Sequence, residues 1–498
     1  MRLLLFFSLA IGIFSACTQE NDSVSSNTVL RVPITAIPDL ELKRGNEINA
    51  NKVIDNVFEH LVGVDESLSP IPEVASRWTI RRETNEIEFE IDRNKRFHDG
   101  SPVRSQDVLN SILEAFKNKN EILSQFKALG GCIQRTSCDG FQTLDDSRFV
   151  IRIQNKNYPL LMKKLASAKG CIVKKMDGNY LGTGPYKIVR IGDDQIIAER
   201  FDARAKFQKI IYQKLDSETA INKFLKEELD TITDVESQVN RSVLPKGLSY
   251  SQKIAGTYAL VFSFKHGIFR KKENRLAVAS VIDPIAFHEY AGGEDIPAGG
   301  MIPRGYVGHR EKRHLIDLEM ARALIEKNTT LQERNVVLGA REKFKGNMAV
   351  EKYLVGRFKD IGLNLQVQFL PFNDVLRGFR EGHLHMILKG DSPINFDPST
   401  TFDGYLGRII EKFSGYYSPT LNRLLIDYEN QTAKDHQLRV LHQMEDTFFA
   451  DIPAIPLFYP VFTTWYRRGL SVKNSENMSV KFWDFSYQDV QIANLVRK

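Results

Sequence analysis

Alternating apolar and charged residues predict short strands in the first third of the chain. Residues 86–91 read Glu-Ile-Glu-Phe-Glu-Ile, and residues 148–153 repeat the alternation. This pattern is typical of a half-buried strand. Between the two stretches, apolar residues recur at helical spacing, and Ser105 stands where a helix N-cap is expected. These apolar residues are Val108, Leu109, Ile112, Leu113 and Phe116. We therefore expect a small unit of mixed helices and strands.

A second stretch, around residue 360, switches repeatedly between helix and strand patterns. Apolar residues at helical spacing run from 350 to 361, and Gly362 can take the left-handed conformation that ends a helix. Residues 363–369 then alternate, an amphipathic helix is predicted around 375–379, and another strand from 384 to 388. Alternation of helix and strand implies a parallel or mixed sheet, so the predicted fold class is α/β.

The first residues have the pattern of an export signal. Met1-Arg2 gives a positive end, residues 3–14 are almost all apolar, and small residues precede Cys17. The apolar run is shorter than the roughly twenty residues of a membrane-spanning helix. Phe14-Ser15-Ala16-Cys17 resembles the bacterial lipobox, which implies that Cys17 is lipidated. We expect a lipoprotein signal peptide at 1–17, and the polar residues 18–28 as a flexible tether.

Composition and charge narrow the function classes. Of 498 residues, 42% are hydrophobic and 26% charged, which excludes a disordered chain. The net charge of +6 is spread without a long basic block, so no nucleic-acid partner is expected.

The cysteines suit an exported protein. Cys132 and Cys138 bracket a short loop and are candidates for a disulfide. Cys171 stands in an Ala-Lys-Gly-Cys-Ile-Val run and is expected to be a small buried hydrophobe. Without a CxxC pair or histidines at zinc spacing, no metal site is predicted.

A search for catalytic motifs finds none. The chain has no GxSxG and no HExxH. Gly390-Asp391-Ser392 is similar to the nucleophile block of one esterase class, but a match of three residues is expected by chance in a chain of this length. His383 and His385 are expected to be packed or solvated histidines, with a metal pair as the alternative. A large exported α/β chain without a catalytic motif suggests a binding protein rather than an enzyme. We expect no cofactor.

One block carries a family resemblance. Residues 97–103, Phe-His-Asp-Gly-Ser-Pro-Val, followed by Asp107-Val108, resemble the signature of extracellular solute-binding proteins of family 5, the receptors of peptide, dipeptide and nickel ABC importers. Further blocks are similar in order from Leu30 to about Phe485. They are residues 56–62, 72–78, 182–186, 275–283, 302–303, 317–324, 358–362 and 454–459.

The resemblance implies a periplasmic-binding-protein-like fold of type II, with two lobes, a hinge and a small inserted domain. Domain I would comprise residues 28–68, 181–268 and 470–498. Residues 69–180 would form domain II, and residues 269–469 domain III, the second lobe. Each crossing between the lobes is then a candidate hinge.

The resemblance also implies a function. The chain would be a monomeric receptor, exported to the periplasmic side or the cell surface and held on a bacterial membrane by its lipid. It would capture a peptide between its lobes and deliver it to the permease and ATPase subunits of an ABC importer. The alternatives are a sensor or chaperone on the same scaffold, or a receptor for a metal chelate, a sugar or an opine.

Ligand contacts are expected in two segments and on aromatic walls. The family has an amine-binding Asp in an A-D-Y-x-x-P segment, and in the similar stretch 391–398 of this chain Ile394 occupies its place. Asp391 or Asp397 could serve instead, or each could be a turn residue beside a proline. The candidate contacts are Thr35, Ala36, Ile37, Asp391, Ile394, Asn395, Phe396, Asp397, Tyr405, Tyr416 and Tyr417.

Overall fold

Helices and strands are mixed along the chain, as the α/β prediction requires. The structure, a computed structural model, describes residues 28–38, 48–65, 69–117, 140–153, 158–166, 170–176, 179–235, 244–253, 256–292, 294–391, 397–403, 414–472, 482 and 485–487.

The strands are β1 Val29–Ile34, β2 Val62–Val64, β3 Pro70–Pro72, β4 Ala75–Arg81, β5 Glu86–Ile91, β6 Phe141–Thr143, β7 Arg148–Arg152, β8 Lys174–Met176, β9 Asn179–Leu181, β10 Tyr186–Ile191, β11 Gln195–Arg200, β12 Lys209–Lys214, β13 Thr231–Val235, β14 Ser249–Lys253, β15 Thr257–Phe262, β16 Ile296–Pro297, β17 Asn335–Arg341, β18 Asn364–Leu370, β19 Met386–Asp391, β20 Ala454–Tyr459, β21 Val461–Tyr466, β22 Leu470–Val472 and β23 Phe485–Tyr487.

The α-helices are α1 Ile48–Val57, α2 Ser105–Lys117, α3 Tyr158–Leu165, α4 Ser217–Leu225, α5 Gly267–Arg270, α6 Lys272–Ala279, α7 Pro284–Ala291, α8 Leu318–Asn328, α9 Val355–Asp360, α10 Phe372–Glu381, α11 Thr400–Asp403, α12 Pro419–Asn430 and α13 Lys434–Asp451. Short 3₁₀ turns span Gln332–Arg334 and Glu342–Phe344, and a π-helical turn, Ala349–Leu354, leads into α9.

Two sheets form the first lobe, called lobe I. Sheet A has the strand order β1-β12-β11-β10, with β1 parallel to β12 and the other neighbours antiparallel. Its core includes Val53 and Val57 of α1 and Phe482 near the end of the chain. Sheet B has the order β13-β21-β14 and is antiparallel, and its core includes Trp465 and Phe224 of α4.

The second lobe, which corresponds to domain III, is called lobe III. Its centre is sheet C, which has six strands in the order β16-β20-β15-β19-β17-β18. One face packs on a core that includes Val278 of α6 and Ile325 of α8, and the other on a core that includes Phe379 of α10 and Phe448 of α13. Burial of both faces explains why β20 reads Ala-Ile-Pro-Leu-Phe-Tyr, with every residue buried.

Sheet D, with the order β4-β5-β7-β6, is the centre of the small domain. Its inner face carries the stacked rings of Phe89 and Phe149, whose centroids are 5.4 Å apart. Its outer face carries cross-strand ion pairs such as Arg152 with Glu86, at 2.7 Å. The alternation that predicted β5 therefore separates a core face from a charged face, whereas in β7 the three central residues are all buried.

The sheet pairings differ from the predicted domain bounds at two strands. β15 was expected in domain I, yet it pairs with β19 and β20 of sheet C. β21 was expected in domain III, yet it pairs with β13 and β14 of sheet B. The chain therefore crosses between the lobes before Thr257 and again at Pro460. The remaining division into domains stays a prediction.

Most of the local predictions are confirmed, with one correction. Gly362 has a φ of 78° after α9, and Gly382 is the left-handed C-cap of α10. The strand predicted at 384–388 is observed as β19, two residues later. Ser105 does not cap α2, because its buried hydroxyl donates to the carbonyl oxygen of Asp145 at 2.8 Å.

Candidate functional site

The carboxyl ends of the parallel strands of sheet C lie together at one end of the sheet, called here the carboxyl edge of sheet C. β17, β18 and β19 are mutually parallel and end at this edge with Arg341, Leu370 and Asp391. β15 is antiparallel to β19 and begins here, where Thr257 pairs with Asp391. Because β20 is antiparallel to β15, its last residue, Tyr459, lies here too. The carboxyl ends of parallel strands are the usual place for a ligand in open α/β sheets.

The chain passes between the lobes at two described places, and the strands that flank these places pair with each other. β14 is followed by β15 after residues 254–256, and β20 is followed by β21 after Pro460 alone. β14 pairs with β21 in sheet B, and β15 pairs with β20 in sheet C. Proline has no amide hydrogen for the ladder, so the pairing is interrupted where the ribbon passes from one sheet to the other. The arrangement is that of a two-stranded hinge.

An aromatic wall stands on sheet C at the same edge. The Tyr258 ring stacks on Phe458 with centroids 4.7 Å apart, and Phe344 meets it edge-on at 5.6 Å. A Cβ at Gly390 would come within 2.8 Å of the Tyr258 ring, so glycine is required beneath it. A small cavity beside the wall is lined by Phe287, His288, Ala291, Asp295, Phe344, Asn347, Val350 and Phe458.

Arg341 provides a positive charge at this edge. It is the last residue of β17, it is half-buried, and its guanidinium carbon lies 5.0 Å from the centroid of the Phe372 ring. In the described parts of the chain, no carboxylate lies within ion-pair distance of its guanidinium. An arginine held by stacking, with its donors unpaired, is suited to a carboxylate.

The structure describes only some of the residues in the predicted contact segments. Thr35, Ala36 and Ile37 follow β1, and Ile37 packs against the core of sheet A. Asp391 ends β19 at the carboxyl edge, beside the first residue after the crossing. Ile394, Asn395, Phe396 and Tyr405 lie outside the described residues, as do Cys17, Cys132 and Cys138.

Asp397 occupies a turn rather than an open surface. It is 3% exposed, and one carboxylate oxygen accepts hydrogen bonds from the amide and hydroxyl of Ser399, at 2.9 and 2.6 Å. The Tyr428 hydroxyl lies 3.4 Å from the other oxygen. Burial raises the pKa of the Tyr428 hydroxyl, and the Asp397 charge adds to that shift. These contacts match the turn role that the sequence left open for Asp397.

The two described tyrosines of the predicted aromatic walls differ in exposure. Tyr416 is 3% exposed, and its hydroxyl donates to Asp451 at 2.7 Å. Burial, together with this carboxylate, raises the pKa of Tyr416. Its neighbour Tyr417 is 56% exposed. Only Tyr417 therefore offers its ring to solvent.

The histidine and cysteine side chains considered in the sequence analysis have structural contacts. No cluster of three or more His, Cys, Asp or Glu side chains that could hold a metal occurs within the ranges the structure describes. His385 accepts a hydrogen bond from the Val337 amide at 3.2 Å, and its ring stacks on His266. Cys171 is buried and forms no disulfide, as expected for a small buried residue, and burial raises the pKa of its thiol.

A comparison with protein families decides the classification. Residues 69–409, more than half of the chain, match the model of bacterial extracellular solute-binding proteins, family 5 Middle. The chain belongs to this family of solute-binding proteins. The role of the family is binding rather than catalysis.

Solved structures of similar proteins share the fold of this family member. Haemophilus influenzae OppA, in complex with RPPGFSPFR, is 14% identical, with 93% of this chain and 99% of that chain covered and a TM-score of 0.81. The Escherichia coli murein tripeptide binding protein MppA is 17% identical, with 93% and 99% covered and a TM-score of 0.81. The unliganded open form of MppA, 16% identical with 93% and 98% covered, has a TM-score of 0.67. The TM-score is lower for this open form than for the other MppA structure.

The family signature forms a structural junction between the small domain and lobe I. The ring of His98 lies 3.0 Å from the Gly184 carbonyl oxygen, and the His98 amide donates to the Gly182 carbonyl at 3.0 Å. A Cβ on Gly182 would lie 2.1 Å from the Val57 carbonyl oxygen. Burial lowers the pKa of His98 to about 4, so the ring is neutral at physiological pH. Three of the motifs that identify the solute-binding family thus join the small domain to lobe I.

The structure describes no helix long and apolar enough to cross a membrane.

Proposed function

We propose that this chain is the receptor of an ABC importer, and that it captures peptides between lobe I and lobe III. The observation that carries the proposal is the carboxyl edge of sheet C, where strand ends and an aromatic wall lie together beside the Pro460 crossing. The solved OppA structure named above holds a peptide, and the fold of this chain is similar. A ligand at this edge would touch lobe III and lie next to the hinge.

Peptide recognition would rest on backbone pairing and on charges at the two ends. An extended peptide can add to an exposed strand edge, which gives affinity with little dependence on side chains. The segment Thr35 to Ile37 of lobe I is our candidate for that edge. Arg341, at the end of β17, would receive a carboxylate, and Asp391, at the end of β19, is the candidate partner of an ammonium.

Closure follows from contacts to both lobes. A ligand that binds only one lobe has equal affinity for open and closed receptors and shifts nothing, whereas one that touches both favours the closed form. A permease that prefers the closed form would then receive loaded receptors. The receptor would be exported and held at a bacterial membrane by lipid on Cys17, with residues 18–28 as the tether.

The experiment is a thermal-shift screen of the purified chain. The screen tests five kinds of compound at equal concentration: free peptides, the same peptides amidated at the C-terminus, a nickel chelate, a sugar and an opine. Free peptides should raise the melting temperature, by an amount set by the ratio of concentration to Kd. A shift with only the chelate, sugar or opine would replace the peptide by another solute. No shift with any of them would refute the importer receptor and favour the sensor or chaperone.

A further inference from the structure

Two acidic residues of lobe III contact the first residues of β21, which belongs to sheet B of lobe I. The Val461 amide donates to the carboxylate of Asp295 at 3.0 Å, and the Thr463 hydroxyl donates to Glu294 at 3.1 Å. Both acidic residues stand just before β16, at the edge of sheet C. The two hydrogen bonds therefore join the lobes directly beside the Pro460 crossing.

The two bonds differ in their distance from the crossing. Val461 follows Pro460 immediately, so a rotation of the lobes about this point displaces its amide little. Thr463 lies three residues beyond, roughly 10 Å along the strand. A rotation of about 20° moves a point at that distance by roughly 3.5 Å, which is enough to break a hydrogen bond. The Asp295 bond can thus survive the rotation, whereas the Glu294 bond cannot.

The Thr463 hydroxyl is also fixed from within lobe I. It lies 2.9 Å from the Ser251 hydroxyl, on the neighbouring strand β14, and Thr463 is 2% exposed. Since Thr463 donates its proton to Glu294, Ser251 donates to Thr463. The donor is therefore held by its own sheet and directed at the carboxylate across the crossing.

We propose that Glu294 and Thr463 form a latch that holds part of the ligand-free receptor in the closed arrangement, with Asp295 and Val461 as its pivot. The latch rests on the proposed function, because it regulates closure over the same site. Its strength sets how much of the closing free energy remains for the ligand to supply. It therefore tunes ligand affinity without touching the ligand.

The test compares the overall dimensions of the ligand-free receptor with those of its latch variants. Thr463→Val removes the hydroxyl at nearly constant volume, and Glu294→Ala removes the exposed acceptor. X-ray scattering of the ligand-free chain should give a larger radius of gyration for each variant than for wild type, and the double variant should add nothing further. Thr464→Val, which makes the same substitution at the neighbouring buried residue on the opposite face of β21, is the matched control. Glu294→Gln, which keeps an acceptor oxygen, should restore most of the wild-type curve.

The readouts separate the latch from the proposed function. Wild-type scattering from both Thr463→Val and Glu294→Ala would overturn the latch, as would an equal expansion in Thr464→Val. Should Thr463→Val fail to fold, Glu294→Ala alone decides. If the thermal screen finds a peptide that binds, we expect the latch variants to bind this peptide with about three- to tenfold lower affinity than wild type. If no peptide binds, the proposed function fails, yet the scattering comparison still tests the latch.

Discussion

The ring nitrogen Nε2 of His98 lies 3.0 Å from the carbonyl oxygen of Gly184, and so two sequence motifs separated by more than eighty residues meet in one contact. Because the ring is neutral, it can serve as a hydrogen-bond donor to this carbonyl without a buried charge. The Phe201 ring stands edge-on to it at 4.9 Å. The motif that first indicated the family therefore stabilises the junction between the small domain and lobe I.

Gly182 in the same junction should tolerate no side chain. Gly182→Ala would place its Cβ 2.1 Å from the Val57 carbonyl oxygen and 2.7 Å from the Phe58 ring, and backbone cannot yield as a flexible side chain can. We expect a loss of about 3 kcal/mol or more, or failure to fold. Melting temperature is the measurement. Gly356→Ala is the control: the site lies in α9 with open space around it, and the substitution should be neutral or stabilising by up to about 1 kcal/mol. Equal melting temperatures for the two variants would contradict the steric argument.

Local elements could be predicted because their causes are local. The spacing of apolar residues before Gly362, and the φ of 78° that this glycine adopts, are set within one stretch of chain. Ser105 could not be predicted, because the carbonyl group that takes its hydroxyl belongs to Asp145, forty residues on. The lobe that receives β15 depends likewise on distant strands, β19 and β20.

The candidate site was harder to predict than the fold for the same reason. Asp391 could be proposed from a family motif. Arg341 and Tyr258 carry no motif, and they become neighbours of the site only through the order of strands in sheet C. The one available signal was that Arg341 ends an apolar strand, since polar residues at strand ends often serve binding.

Stability should fall in mild acid because buried histidines stay neutral in the folded chain. Burial, followed by the charge of His266, lowers the pKa of His385 from 6.5 to about 4. The rings of these two histidines stack at 3.9 Å. Between pH 6.5 and 4 the unfolded chain binds a proton at His385 that the folded chain does not, so the contribution to stability is complete above pH 6.5 and is lost as the pH falls.

The pH dependence can be assigned by substitution. His385→Asn keeps an acceptor near the Val337 amide and removes the titrating ring. The melting temperature of this variant should decline less steeply between pH 6.5 and 4 than that of wild type. His383→Asn, at a side chain that is 72% exposed, is the control and should decline as wild type does. An unchanged slope in His385→Asn would show that other groups govern acid unfolding.

Arg341 should discriminate ligands by their carboxylate. Arg341→Gln removes the charge and the paired donors, and we expect affinity for a peptide with a free C-terminus to fall by about tenfold or more. The amidated peptide should bind the variant and the wild type alike. Titration calorimetry with both peptides is the measurement. Arg377→Gln, on α10 and paired with Asp374 at 2.7 Å, is the matched control with unchanged affinity. Equal losses for the free and the amidated peptide would place Arg341 outside the ligand contacts.

The lipid anchor predicts where the chain is found after cell fractionation. Cys17→Ser removes the thiol that would be acylated, and the apolar residues before it are too few for a spanning helix. A single acyl chain binds membranes only marginally, so stable attachment needs the two chains of a diacylated cysteine. The wild-type chain should therefore sediment with membranes and the variant should be released. Cys171→Ser, at a buried thiol, is the control and should remain with membranes. Membrane association of Cys17→Ser equal to that of wild type would refute the anchor and leave only the export signal.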